Sequence, residues 1–183
     1  MKTLSSNIRL DQLEKEVVDF LGSHSFWDER QISLQSVTGN NDWFCSVGKI
    51  HSLDYREKAY SVLNKDLNGT YIAELINEEY KEYYRWRMLL IPPHQHYSVH
   101  SDLLHNPATG NTKENRRIHI PVISNPDAFF CYFDDKPSDG TKTTVEYYNL
   151  QPGKVYEVNT SRLHSAVNYG DKTRIHLVGV RYE

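Results

Sequence analysis

Residues 164–182 read HSAVNYGDKTRIHLVGVRY, and the parsing of this stretch decides the fold. Two runs, His164–Asn168 and Arg174–Tyr182, flank the turn signal Tyr169-Gly170-Asp171. In the second run Arg174 and His176 alternate with Ile175 and Leu177, the period of a strand with one polar and one apolar face. Arg117-Ile118-His119-Ile120 repeats that pattern. So short an echo is no repeat architecture; it marks two strands built alike.

Working outward, six more strands are expected upstream: Tyr84–Ile91, Tyr97–Asp102, Arg117–Ile123, Ala128–Phe133, Thr143–Leu150 and Lys154–Val158. Breakers separate them, among them Pro92-Pro93, Asn125-Pro126-Asp127, Ser138-Asp139-Gly140 and Pro152-Gly153. Eight short strands so punctuated predict a mainly β fold with flanking helices, a double-sheet jelly roll. Thirteen Tyr and three Trp agree with a strand-rich chain.

The first eighty residues read differently. Leu13, Val17, Val18, Phe20 and Leu21 predict a helix over Asp11–Leu21, stopped by Gly22 and Ser23. Gln31–Val37 and Trp43–Val47 read as strands, and His51–Asn64 is ambiguous, with Tyr60, Val62 and Leu63 expected inside. Thr70 is expected to cap a helix from Tyr71 to about Tyr80, with Ile72, Leu75 and Ile76 inward. These helices are expected to pack on one outer sheet face. No linker composition divides the chain, so residues 1–183 are expected to form one domain: 1–82 packed on a core of 83–183.

Composition narrows the function. Hydrophobic residues are 38%, charged residues 25% and the net charge is −3 with no basic block, which disfavours nucleic acid as a partner. No apolar run approaches the ~18 residues of a membrane span, and no signal peptide is visible at the start, so no membrane partner and a cytoplasmic location are expected. Cys45 and Cys131 are too few for a disulfide framework or a zinc cluster and are read as reduced thiols.

The chemistry gathers at His100-Ser101-Asp102. On an extended chain i and i+2 share a face, so His100 and Asp102 can reach one metal together. His164 follows sixty-two positions after Asp102, and Arg174 ten after that. Two imidazoles and a carboxylate are the facial set that holds non-haem Fe(II) with open positions, although Mn, Co or Zn suit the same ligands. A 2-oxo acid fills two of those positions and dioxygen a third.

Arg174 offers a planar fork for the distal carboxylate of 2-oxoglutarate. Its competing reading is a salt bridge with Asp171. Arg117 and His119 are expected on the inward face, serving the 2-oxo acid or the substrate, with a structural polar network as the competing reading. His176 reads as a satisfied core histidine, and His94 and His105 as loop residues. His96 lies too far along the strand, at ~3.3 Å per residue, to share a metal with Asp102. Arg85, Arg87 and Arg116 are further candidates for a clamp on a substrate carboxylate. Residues 103–116 form a polar insert after Asp102, read either as a substrate lid or as a surface loop.

His100-x-Asp102, Arg117-Ile118-His119-Ile120-Pro121, His164-Ser165-Ala166-Val167-Asn168 and Arg174-Ile175-His176-Leu177 together resemble the aspartyl/asparaginyl β-hydroxylase-like oxygenases. The resemblance covers about residues 84–182. It implies a double-stranded β-helix, Fe(II) on His100, Asp102 and His164, and the 2-oxoglutarate tail on Arg174. It also implies that Arg117 and His119 lie near the other carboxylate or the substrate. Vertebrate members lack the metal carboxylate, so a chain with Asp102 is more similar to the small bacterial-type members, some of which act on free amino acids. The implied activity is hydroxylation of an amino acid or an amino-acid side chain, of the Asp, Asn or Pro kind, with release of succinate and carbon dioxide. Two other readings stand beside it: a cupin-type metal enzyme without a 2-oxo acid, and a non-catalytic jelly-roll binding module.

Overall fold

The computed structural model describes residues 1–24, 30–41, 60–102, 104–105, 112–113, 115–133 and 144–182. Trp43–Val47, Cys45 and most of His51–Asn64 lie outside the described residues.

Two antiparallel sheets carry the fold. Their strands are β1 (Lys2–Leu4), β2 (Gln31–Ser33), β5 (Tyr84–Ile91), β6 (Gln95–His96), β9 (Asn115–Ile123), β10 (Ala128–Phe133), β11 (Val145–Tyr148), β12 (Val155–Asn159), β13 (His164–Asn168) and β14 (Arg174–Tyr182). Two small ladders complete the set: β3 (Gln35–Ser36) with β4 (Val62–Leu63), and β7 (Leu104–His105) with β8 (Thr112–Lys113). One large sheet runs β1-β12-β9-β14-β5-β2 and the other β11-β10-β13-β6. The eight strands β5, β6 and β9–β14 thus pass back and forth between two four-stranded layers. This is the connectivity of a double-stranded β-helix, the jelly roll expected from the strand count. Two strands of the N-terminal part, β1 and β2, extend the larger sheet at its two edges.

Alternation along the strands sorts the two faces of that sheet. Trp86, Met88, Leu90, Ile118, Ile120, Val122, Ile175 and Leu177 point outward into a core closed by helices α1 (Leu10–Ser23) and α2 (Tyr71–Glu74). Arg117, His119, Arg174 and His176 take the other face. The twin Arg-Ile-His motifs are therefore placed as their alternation predicts. Between the sheets, Phe130, Tyr132, Leu150, Tyr156 and Val158 form a smaller apolar cluster.

Helix α1 contributes Leu13, Val17 and Phe20 to the core, but Val18 is 52% exposed, because it lies one step off the apolar stripe. The helix also runs through Gly22 to Ser23, whose hydroxyl donates back to the Asp19 and Phe20 carbonyls. Thr70 caps α2 by accepting from the Ala73 amide at 3.2 Å. Glu16 of α1 reaches across to accept from the Tyr71 and Ile72 amides, each at 3.0 Å. One carboxylate thus satisfies two free amides and fixes the angle between the helices. Beyond Glu74 the helix widens into a π-turn over Leu75–Glu79, closed by Tyr80 N donating to Leu75 O at 2.9 Å. The extra residue in that turn keeps Leu75, Ile76 and Tyr80 buried together.

Other expectations need correcting. Tyr60 is buried, but Val62 is 45% exposed, since β4 pairs only with β3. In place of the strand expected over Tyr97–Asp102, the regular strand lies just before it, at Gln95–His96. The chain then leaves the ladder, because the Ser98 carbonyl turns to the His100 ring, and rejoins it at a single bridge between His100 and His164. Asn115 and Arg116, counted in the polar insert, belong to β9.

A bulge interrupts β5. Val178 pairs with Arg87, yet Val180 pairs with Tyr84, so Gly179 faces the extra residue. Arg85 takes up the irregularity with φ +54°, an uncommon value for a non-glycine residue. Gly179 must be glycine here: a Cβ would stand 2.7 Å from Cε2 of the buried Trp86.

Candidate metal centre and its anion-binding flank

His100 and His164 are brought together by main-chain pairing. His100 N donates to His164 O at 3.0 Å, and His164 N donates to His100 O at 2.8 Å. Their rings lie 4.4 Å apart. Two residues on, Asp102 N donates to Thr160 O at 2.8 Å, which turns the carboxylate toward both imidazoles. His100 Nε2 stands 3.7 Å from Asp102 Oδ1, and His164 Nε2 stands 3.7 Å from Asp102 Oδ2. One ligand atom from each of the three side chains lies within 4.8 Å of the others.

The far side of each ring settles its tautomer. His100 Nδ1 is 2.6 Å from Ser98 O, and His164 Nδ1 is 2.8 Å from Arg162 O. A carbonyl only accepts, so each Nδ1 carries a proton, and the neutral form of each ring presents its lone pair at Nε2. Both lone pairs turn toward the carboxylate. Burial holds the His164 imidazole neutral, with a pKa near 4. For Asp102 burial opposes ionisation, but Arg117, His164, His100 and the Thr160 hydroxyl outweigh it, and its pKa falls below the ordinary value. Asp102 Oδ2 is buried and accepts no aligned hydrogen bond, although Arg117 Nη2 lies 2.7 Å away. Two lone pairs and an underused carboxylate oxygen fit a divalent cation. The His164 side chain is 5% exposed and that of His100 42%, so the site opens at His100.

A line of rings leads inward from His164. Phe130 stacks on His164 at 5.5 Å, His119 meets Phe130 edge-on at 5.6 Å, and His176 meets His119 at 5.7 Å. Arg174 Nη2 ends the line, donating to His176 Nδ1 at 3.1 Å. His176 Nδ1 must then be unprotonated, so His119 Nδ1, 3.4 Å away, supplies the proton between the two rings. Arg174 is 3% exposed and pairs with no carboxylate among the described residues. Burial lowers its pKa to about 10. The alternative salt bridge with Asp171 does not form; Asp171 Oδ1 instead faces His94 at 3.1 Å.

The expected site residues therefore fall into two groups. His100, Asp102 and His164 converge, while Arg174 stands at the inner end of the cleft with His176 and His119. Arg117 sits with the first group, paired to Asp102. His176 is not a satisfied histidine, since its Nε2 and that of His119 are buried without a hydrogen-bond partner among the described residues. Arg116 faces Glu157 on the opposite face of the sheet at 3.7 Å and does not line the cleft. His96 is exposed at the edge of the smaller sheet, opposite Val167. The parts that sequence reasoning missed are the Ser98, Thr160 and Arg162 carbonyls and the ring of Phe130. The carbonyls have no side-chain signature, and Phe130 reads as one more core aromatic.

The sequence matches no protein-family model and no curated protein. Among solved structures the chain is similar to SnoK, a non-heme alpha ketoglutarate dependent carbocyclase from nogalamycin biosynthesis, with 14% identity and a TM-score of 0.41 over 54% of this chain and 49% of that one. It is also similar to AviO1 from Streptomyces viridochromogenes Tue57, with 13% identity and a TM-score of 0.42 over 54% and 49%. A cupin domain from Bordetella pertussis Tohama I matches with 13% identity and a TM-score of 0.33 over 54% and 79%. The match spans about half the length of SnoK and AviO1.

Proposed function

We propose that the protein is an Fe(II)- and 2-oxoglutarate-dependent dioxygenase that hydroxylates an amino acid or an amino-acid side chain, within or close to the aspartyl/asparaginyl β-hydroxylase-like oxygenases. One observation carries the reading: the Nε2 atoms of two imidazoles and a carboxylate converge in one cleft whose inner end holds Arg174, buried with no carboxylate partner among the described residues. His100, Asp102 and His164 would hold the iron. Bound there, iron and 2-oxoglutarate supply the oxidising power that a protein side chain lacks, with succinate and carbon dioxide as co-products.

The chain's own residues do the rest. Arg174 binds the distal carboxylate through its planar fork, and His176 holds that fork in place. The Ser98 and Arg162 carbonyls keep the two ligand imidazoles in one tautomer. Arg117 holds Asp102 in its anionic form. Phe130, stacked on His164, shields the inner side of the site from water. A cytoplasmic location and a small or peptide-borne amino-acid substrate, without nucleic acid or membrane, belong to the same proposal.

The test is formation of succinate from 2-oxoglutarate by the Fe(II)-loaded protein under air, with and without candidate substrates. Succinate formed stoichiometrically with a mass gain of one oxygen in the target supports the reading. Metal binding with no 2-oxoglutarate binding by calorimetry would instead favour a cupin-type metal enzyme.

A further inference from the structure

The inner face of the larger sheet holds another cation whose task is not accounted for. Arg87 lies on β5 opposite Val178 of β14, and Val178 is flanked on its other side by His119. Its neighbours Trp86 and Met88 point into the apolar core, so alternation turns Arg87 to the cleft. It is 5% exposed. Nη1 donates to the neutral Gln31 Oε1 at 2.7 Å, and Nε is buried with no acceptor among the described residues. Among the described residues it makes no ion pair. Burial, then the repulsion of Arg85 and Arg117, pushes its pKa well below the ordinary value.

The other inward charges have occupations. Arg117 is committed to Asp102 at 2.7 Å. Arg174 stands at the far end of the strand pair, opposite Ile91. A dicarboxylate cosubstrate has two anionic ends, one for the metal and one for Arg174, and leaves none for Arg87. With Nη1 held by Gln31, the Nε–Nη2 edge is the fork that remains, and this edge matches a carboxylate side-on. A guanidinium buried without an anion is costly, and the cost is recovered when a carboxylate arrives.

We infer that Arg87, oriented by Gln31, is the specificity-determining residue that binds a carboxylate of the substrate. The inference rests on the hydroxylase reading for its division of labour between Arg174 and Arg87. The group recognised is a carboxylate, either the α-carboxylate of a free amino acid or the side chain of an aspartyl residue.

Calorimetric titration of the Fe(II)-loaded protein under argon tests this without turnover. The probes are the free protein amino acids, their α-carboxamides, capped aspartate and capped asparagine, and separately 2-oxoglutarate. We expect at least one carboxylate probe to bind, and its amide counterpart to bind about tenfold or more weakly. We expect Arg87→Gln to weaken that carboxylate by a similar factor, Arg87→Lys to weaken it less, and 2-oxoglutarate to move by less than about twofold in either. A free amino acid and capped aspartate distinguish the two sources of the carboxylate. The inference is overturned if no carboxylate probe binds, or if amide and acid bind alike to the wild type. It also fails if a folded Arg87→Gln loses 2-oxoglutarate instead, which makes Arg87 a cosubstrate anchor. Should neither variant fold, equal binding of acid and amide by the wild type still overturns the inference. Failure of the hydroxylase reading alone looks different: the Arg87-dependent carboxylate still binds, while 2-oxoglutarate does not.

Discussion

His100 and His164 exchange two main-chain hydrogen bonds, of 3.0 and 2.8 Å, so the two imidazoles are fixed relative to each other by backbone pairing rather than by packing. Each then has its Nδ1 proton anchored on a carbonyl within its own chain segment. A metal joining His100, Asp102 and His164 would therefore meet a largely prepared set of ligands. We expect His100→Ala and His164→Ala each to abolish stoichiometric Fe(II) binding, read by elemental analysis after gel filtration. The folded state should survive His100→Ala best, since that side chain is the more exposed. Full metal occupancy in His164→Ala would remove His164 from the site.

Arg174→Gln separates cosubstrate from metal. The guanidinium contacts His176 and none of His100, Asp102 or His164, so iron should remain while 2-oxoglutarate affinity falls by about 2–4 kcal/mol, the cost of losing a charged fork in a desolvated site. Calorimetry with 2-oxoglutarate reads this directly, and an unchanged affinity would sink the assignment.

Acid should destabilise the metal-free protein early. Burial, followed by the field of Arg174, holds the His119 and His176 imidazoles well below their ordinary pKa of 6.5. Both rings are then neutral in the folded state but take up protons near that value once unfolded. The unfolded chain binds more protons as the pH falls through about 6.5, so the stability these groups contribute is intact above that pH and is lost below it. Urea unfolding from about pH 8 to pH 5 should show the midpoint falling on the acid side, and His176→Gln should flatten the fall. A midpoint constant across that window contradicts the account.

Gly179→Ala tests the bulge. The new methyl would meet the Trp86 ring at 2.7 Å, and Trp86 is itself held by Nε1 donating to Tyr83 O at 3.2 Å. We expect a loss of about 1–3 kcal/mol in unfolding free energy, the range for overpacking a filled core. Thermal unfolding monitored by tryptophan fluorescence measures it, and a wild-type midpoint would show that the ring moves freely.

How far the sequence reveals this molecule depends on how local each signal is. His164–Asn168 and Arg174–Tyr182 begin and end where the alternation and the intervening turn place them, because strand period and turn chemistry are carried by neighbours. That His100, Asp102 and His164 converge is legible for the same reason, as a spacing of residue types. Tyr97–Asp102 misleads because the Ser98 carbonyl serves a histidine ring rather than the ladder, a choice its side chain does not record. The partner of Arg117 is equally hidden: pairing with Asp102 depends on the two sheets closing on each other. Arg85, Arg87 and Arg116 are alike as letters. Only the strand register shows that Arg116 turns outward to Glu157 and Arg87 inward.

The shut-in guanidinium groups of Arg87 and Arg174 also bear on how the protein behaves in a test tube. Any small anion that reaches them acts as a folding reagent, raising the unfolding temperature with the logarithm of its concentration whether or not it is ever turned over. Sulfate, phosphate or citrate in a storage buffer would then compete with the molecules being screened and flatten their apparent affinities. A non-coordinating zwitterionic buffer with chloride as the only anion is the medium in which a genuine carboxylate ligand would stand out.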